Sequence, residues 1–157
     1  MRKAIFLDRD GVINKTIIRS GKPYSPGDMS QVEIIAGVNL ALDKFRYLNF
    51  EIIVVTNQPN IARGIDHPKF LIDVHNYLKS ELSIENFYIC PHDDSDNCIC
   101  RKPLPGLLMI ASQELDINLS DSYMIGDRWK DIEAGQQAGC TCFFINYGYD
   151  EKQPKKP

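Results

Sequence analysis

Asp8 and Asp10 stand one residue apart where the apolar run Ala4–Leu7 ends, and Gly11 follows at once, in the stretch FLDRDG. Two carboxylates so close repel each other unless a cation relieves them, and a nucleophilic carboxylate working beside a cation is the equipment of phosphoryl transfer. Three more polar groups follow apolar or cysteine-rich runs. Thr56-Asn57-Gln58 follows IIVV, Arg101-Lys102 follows a set of cysteines, and Gly126-Asp127-Arg128 closes the run YMI. Each alone reads equally well as a loop acid pair, a polar turn, a solvated basic pair or a helix cap. Their order along the chain joins them into one site. Mg²⁺ takes oxygen ligands, typically one or two protein carboxylates with waters and a substrate phosphate, and Asp8 and Asp127 would supply the carboxylates. A turn at Gly11 would bring Asp10 round to a leaving oxygen as acid and base. Thr56 and Lys102 would hold the phosphoryl oxygens by hydrogen bond and charge. A calcium loop of the EF-hand type is disfavoured, because its further Asp or Asn and closing Glu are missing.

A second constellation, Cys90-Pro91-His92-(x)5-Cys98-Ile99-Cys100, offers three thiolates and an imidazole, enough for a closed tetrahedral Zn²⁺ site. With four protein ligands no position is left to activate water, so the expected role is structural: pinning the loop Cys90–Lys102 and thereby placing Arg101 and Lys102. The segment Asp93–Asn97 within it has no apolar residue of its own to anchor it. Cys140 and Cys142 read as strand thiols rather than ligands.

The elements that must carry these groups alternate along the chain. Strands are expected at Lys3–Asp8, Glu51–Thr56, Phe87–Cys90, Ser122–Gly126 and Thr141–Asn146. Helices are expected at Val38–Asn49, Pro68–Leu82, Gly106–Leu115 and Trp129–Ala138, the last stopped by Gly139. Consecutive apolar residues such as IIVV and CFFI suit strands buried on both faces. The pattern is that of one doubly wound α/β domain over residues 1–150, with 151–157 as a tail, and ligands bind such sheets at the carboxyl ends of the strands. The 157 residues are 43% apolar and 25% charged, enough for one ordinary core without disulfides. A net charge of −3 argues against a general nucleic-acid binder. The absence of a long apolar run argues against a membrane span, and with no signal-peptide pattern the expectation is a cytoplasmic monomer.

Taken together, Asp8-Arg9-Asp10-Gly11-Val12, Thr56, Lys102 and Gly126-Asp127-(x)3-Asp131 resemble the four motifs of the haloacid dehalogenase superfamily of phosphatases, over nearly the whole chain. The resemblance implies a three-layer Rossmann-like sheet in the order 5-4-1-2-3. It also implies Asp8 as a nucleophile forming an aspartyl-phosphate, Asp10 as acid and base, and Mg²⁺ held by Asp8, the Asp10 carbonyl oxygen and Asp127. Asp131 would either support the metal site or face solvent. The zinc loop before Arg-Lys-Pro resembles the branch containing the D-glycero-D-manno-heptose 1,7-bisphosphate and histidinol-phosphate phosphatases. VVTNQPNIARG, RKPLPG and IGDRWKDIEAGQQAGC look more like the heptose enzymes, whereas the five-residue gap between His92 and Cys98 resembles the histidinol-phosphate ones. A heptose bisphosphate is the favoured substrate, with histidinol phosphate or another small phosphate ester as alternatives.

By the same likeness, substrate contacts fall at Arg9, at Thr16 and Arg19, at Asn57 and Gln58, and at Arg101 and Arg128. A second phosphate would need a further cation, for which Arg19, Arg63, Arg101 and Arg128 are candidates. No insert is long enough for a large cap domain, so the site should be open, with the Asn14–Asp28 loop as partial cover. A reading of another class is a zinc-stabilised binding module without turnover, against which the intact Asp8, Asp10, Thr56, Lys102 and Asp127 count.

Overall fold

Strand β1 (Lys3–Leu7) explains the architecture, because its alternate side chains supply two different cores. Ala4 and Phe6 face one side and Ile5 and Leu7 the other, all at most 3% exposed, as the period-two geometry of a strand requires. The computed structural model describes residues 1–156. After β1 come β2 (Ile17–Arg19), β3 (Lys22–Tyr24), α1 (Val38–Tyr47), β4 (Phe50–Asn57), α2 (Pro68–Leu82) and β5 (Asn86–Cys90). Then follow α3 (Gly106–Leu115), β6 (Tyr123–Gly126), α4 (Trp129–Ala138) and β7 (Thr141–Phe144). Five strands form a parallel sheet in the order β5-β4-β1-β6-β7. Numbered among themselves in chain order, these strands run 3-2-1-4-5 from one edge, or 5-4-1-2-3 from the other, as expected.

Helices α1 and α2 cover one face, where Leu42, Val74, Leu78 and Leu82 pack with Ile5, Leu7, Ile52 and Val54. On the other face α3 and α4 bring Leu107, Leu108, Ala111 and Ala134 against Phe6, Ile53, Val55 and Met124. Three of the four expected helices, Pro68–Leu82, Gly106–Leu115 and Trp129–Ala138, are met at both ends, and the remaining bounds shift by no more than two residues. β1 stops before Asp8, and β7 ends at Phe144 rather than Asn146.

One element was not foreseen. The loop expected over Asn14–Asp28 contains an antiparallel hairpin of β2 and β3, in register Ile17–Tyr24 and Arg19–Lys22. Ser20 and Gly21 turn it with positive φ, the conformation a two-residue hairpin loop demands. No helix among the described residues is long and apolar enough to cross a membrane.

Candidate active site

All the acidic motif residues arrive at the carboxyl edge of the sheet because β1 and β6 are adjacent and parallel. The Asp8 N–H donates to the Ile125 carbonyl (3.0 Å), so the chain after β1 runs beside Gly126-Asp127. Gly11 then turns it back with φ +86°, and a Cβ there would overlap the Asp127 carboxylate. Only glycine satisfies both the left-handed backbone and that close approach. The turn is tied by Gly11 N–H to the Asn14 carbonyl (2.7 Å) and Ile13 N–H to the Arg9 carbonyl (2.8 Å).

Lys102 is the hub. Its ammonium is 2% exposed and donates to Asp8 Oδ1 (2.8 Å), Asp131 Oδ1 (2.7 Å) and the Val55 carbonyl (2.8 Å). Burial alone would strip its proton, but the charges of Asp131 and Asp8 hold its pKa above the ordinary lysine value. Asn57 fixes the backbone of Lys102 from both sides: its Oδ1 accepts from Lys102 N–H (3.1 Å) and its Nδ2 donates to the Lys102 carbonyl (3.0 Å). Asp131 uses its other oxygen to accept from the Arg128 N–H (3.0 Å) at the start of α4. With both oxygens engaged and 2% exposure, it braces Lys102 rather than facing solvent.

Three carboxylates, Asp8, Asp127 and Asp131, lie within 4.8 Å of one another. One ammonium cannot balance them. Burial, then the Asp131 charge, push Asp8 up to about 7, and burial, then the Asp8 charge, push Asp127 up to about 8. Asp127 Oδ2 accepts from the Tyr149 hydroxyl (2.6 Å), while its Oδ1 is buried without any hydrogen-bond partner. An orphaned buried carboxylate oxygen beside a second acid, in a site with excess negative charge, fits a hard divalent cation.

Asp10 is organised differently. Its carboxylate accepts from Arg9 Nε (3.0 Å), Asn14 Nδ2 (2.9 Å), Ser25 Oγ (2.6 Å) and Gln58 Nε2 (3.1 Å). Burial would raise its pKa, but the Arg9 guanidinium and these donors hold it below the usual carboxylate range. Gln58 also donates to Thr56 Oγ1 (2.9 Å), which leaves the threonine O–H proton free for another acceptor.

The residues expected to touch substrate divide into two sets. Arg9 is corrected: it is 1% exposed and turns into the protein, pairing with Asp10 and meeting His75 Nε2 at 3.2 Å. Burial and the Arg9 charge keep His75 neutral, with a pKa of about 3. Arg19 lies over the Tyr24 ring and does not itself line the cavity. Asn57 and Gln58 serve Lys102 and Asp10, as described. Thr16, Arg63, Arg101 and Arg128, together with Asn57, line a cavity of about 290 Å³ that opens onto Asp8, Asp10 and Asp127. Each arginine there already has a protein acid: Asp93 for Arg63 (2.7 Å), Asp94 for Arg101 (2.6 Å) and Glu151 for Arg128 (3.0 Å from Nε). Sequence reasoning missed Lys22, Tyr24 and Ser25 from the hairpin, and Lys130 from α4, all of which line the cavity. A one-turn helical step from Asp127 was the signal available for Lys130.

The cysteine cluster assembles as its spacing suggested. Cys90, His92, Cys98 and Cys100 approach one another, with Cys90 Sγ–Cys98 Sγ 3.6 Å, Cys98 Sγ–Cys100 Sγ 3.5 Å and His92 Nδ1–Cys100 Sγ 3.3 Å. Ligands about 2.3 Å from a tetrahedral zinc would stand about 3.7 Å apart. These separations are close to that edge length and Cys90 Sγ–Cys100 Sγ is shorter still, at 3.1 Å, so the donor set fits Zn²⁺. Cys140 and Cys142 stay apart, their thiols pushed up to about 12 and about 11 by burial.

Comparison with known proteins agrees with this geometry. Residues 99–156 match the family model described as HAD-hydrolase-like. The D-glycero-alpha-D-manno-heptose-1,7-bisphosphate 7-phosphatase of Photorhabdus laumondii is 36% identical over 165 residues, covering 97% of this chain and 87% of the relative. The chain belongs to the haloacid dehalogenase superfamily of phosphatases. It is therefore a phosphoric monoester hydrolase. The D-glycero-beta-D-manno-heptose-1,7-bisphosphate 7-phosphatase of Yersinia pestis is 34% identical, covering 86% of this chain and 75% of the relative. Among solved structures, the D,D-heptose 1,7-bisphosphate phosphatase of B. bronchiseptica, complexed with magnesium and phosphate, superposes with a TM-score of 0.79. It is 29% identical, and the match covers 89% of this chain and 78% of that one.

Proposed function

We propose that this protein is a Mg²⁺-dependent phosphatase that removes the C7 phosphate of a D-glycero-D-manno-heptose 1,7-bisphosphate through an aspartyl-phosphate on Asp8. The observation that carries the chemistry is the buried trio of Asp8, Asp127 and Lys102, with the unpartnered Asp127 Oδ1 open to a cation. The substrate reading rests on relatives named for heptose bisphosphates over most of their length. Mg²⁺ held by Asp8, Asp127 and the Asp10 carbonyl oxygen would neutralise the phosphate and relieve its repulsion from the carboxylates.

Within that frame each side chain has one task. Lys102 engages Asp8 Oδ1 and so leaves Oδ2 to attack phosphorus. The phosphorus–oxygen bond to the sugar breaks as the Asp8 acyl phosphate forms, and Asp10, carrying a proton taken up from water when the substrate binds, passes it to the departing oxygen. Ser25 suits both forms of Asp10, because a hydroxyl donates to the carboxylate and accepts from the acid. Asp10, ionised again, takes a proton from the water that attacks the phosphorus of the acyl phosphate and frees Asp8 and phosphate. Thr56 donates to a phosphoryl oxygen. Arg63, Arg101 and Arg128 exchange their protein acids for the second phosphate as the sugar enters. Zn²⁺ held by Cys90, His92, Cys98 and Cys100 would keep the loop carrying Arg101 and Lys102 in place. The cavity of about 290 Å³ suits a small phosphate ester, and the proposal is completed by a cytoplasmic monomer that acts without nucleic acid or membrane.

The test is phosphate release with and without Mg²⁺ from both anomers of heptose 1,7-bisphosphate, fructose 1,6-bisphosphate and histidinol phosphate. Phosphorus NMR would identify which phosphate leaves. The heptose bisphosphate should turn over fastest at C7, and Asp8→Asn should abolish release. Faster release from histidinol phosphate would move the assignment to that ester, as the short His92–Cys98 gap would then have indicated. No release from any ester by folded protein would leave only a binding module.

A further inference from the structure

The segment Tyr147–Glu151 follows the last strand and belongs to none of the motifs, yet it is fastened to the active site at four points. The Tyr147 hydroxyl donates to the Gly11 carbonyl (3.0 Å), the Asp150 N–H donates to the Gly21 carbonyl at the hairpin tip (2.9 Å), and Glu151 pairs with Arg128. The fourth contact is the 2.6 Å bond from the Tyr149 hydroxyl to Asp127 Oδ2. Tyr149 is 9% exposed and Asp127 1%. As a cation ligand Asp127 must be ionised, and an ionised carboxylate only accepts, so in that form the phenol proton lies toward Asp127. The Thr16 hydroxyl, 3.3 Å from the Tyr149 oxygen, must then be the donor in that contact. The result is a one-way chain, Thr16 to Tyr149 to Asp127, that ends on one oxygen of the carboxylate and leaves the other unpartnered.

We propose that Tyr149 is a positioning residue for the divalent cation: its hydroxyl holds Oδ2 of Asp127 and so fixes the rotation of the carboxylate that leaves Oδ1 free for metal. Two features make this more than packing. A carboxylate at the end of a turn rotates freely unless one oxygen is held, and here Gly11 already crowds the Oδ2 side, so only a small donor fits. The bond is also charge-assisted, the strong class of hydrogen bond, and sits out of water. This inference rests on Asp127 being a cation ligand.

The experiment is Mn²⁺ binding to the free protein, followed by electron paramagnetic resonance without substrate, for wild type, Tyr149→Phe, Thr16→Val and Asp127→Asn. Tyr149→Phe keeps the ring and removes only the hydroxyl. It should weaken Mn²⁺ about tenfold, the typical worth of one hydrogen bond to a charged group, while the metal-free melting temperature changes little. Thr16→Val should weaken binding less and in the same direction, which also serves if Tyr149→Phe folds poorly. Unchanged Mn²⁺ affinity in both variants, with binding lost in Asp127→Asn, would overturn the role of Tyr149 and leave the metal site standing. Unchanged affinity in Asp127→Asn would overturn the metal assignment itself and this inference with it.

Discussion

Between pH 7 and pH 5 the protein should lose its grip on Mg²⁺, and the size of the loss follows from the buried acids. Asp8 is raised to about 7 and Asp127 to about 8, each by burial and then by a neighbouring carboxylate. At neutral pH the pair therefore retains a proton that an unfolded chain, with carboxyl groups near 3.8, has given up. A raised carboxyl pKa means the metal-free fold binds more protons than the unfolded chain above about pH 4. Its contribution to stability is full below that pH and is lost as pH rises through 7 to 8. A cation that binds between the two acids must expel the protons the pair holds, one from each acid below about 7, so its apparent affinity falls about 100-fold for each pH unit there. From pH 7 to pH 5 that is a loss of several thousand-fold, or about 5 kcal/mol. For a domain of this size it corresponds to roughly 10–20 °C of melting temperature at one high, fixed Mg²⁺ concentration.

The assay is thermal unfolding at pH 5, 6, 7 and 8, with and without Mg²⁺. His75 acts in the opposite sense: buried and neutral with a pKa of about 3, it costs stability as pH falls below its ordinary 6.5. That cost is the same with and without the cation, so the Mg²⁺-induced shift isolates the carboxylates. The shift should grow steadily from pH 5 to pH 8 and largely vanish in Asp127→Asn. A shift that is equal at pH 5 and pH 8 would refute the proton-expulsion account.

Purified protein should carry close to one zinc per chain by elemental analysis, lost in Cys98→Ser together with resistance of the loop Cys90–Lys102 to proteolysis; folded, reduced protein without zinc would contradict the structural role. Lys102→Met strands Asp8 and Asp131 without a counter-charge and should cost about 3–5 kcal/mol at pH 8 by denaturant unfolding, less at pH 5 where the acids take up protons; a loss below about 1 kcal/mol would show that Lys102 does not hold the site together. Glu151→Gln releases Arg128, which is 39% exposed along its side chain, so stability should change by about 1 kcal/mol or less while inorganic phosphate becomes a stronger inhibitor; unchanged inhibition would take Arg128 out of the phosphate site.

The motifs legible along the chain are those whose geometry is local. FLDRDG carries its own turn, since Gly11 takes φ +86° just after Asp10, which stands three residues beyond the strand end at Leu7. The zinc ligands lie within eleven residues, so Cys90, His92, Cys98 and Cys100 meet without help from a distant element. The strands announced themselves because burial on both faces demands consecutive apolar residues, as in Ile52–Val55. The hairpin gave a weaker signal, its strands being three residues each and largely exposed. What only the tertiary structure decided is where long side chains point and which distant groups meet. Arg9 sits between two acids that looked like a substrate site, yet it turns inward to Asp10 and His75, 66 residues further on. Tyr149 reaches Asp127 only because β7 lies beside β6 and returns the chain to the same edge. A spacing pattern records the local backbone; an arginine's direction or a tyrosine's partner depends on strand register and on contacts far apart in sequence, which are set only when the sheet closes.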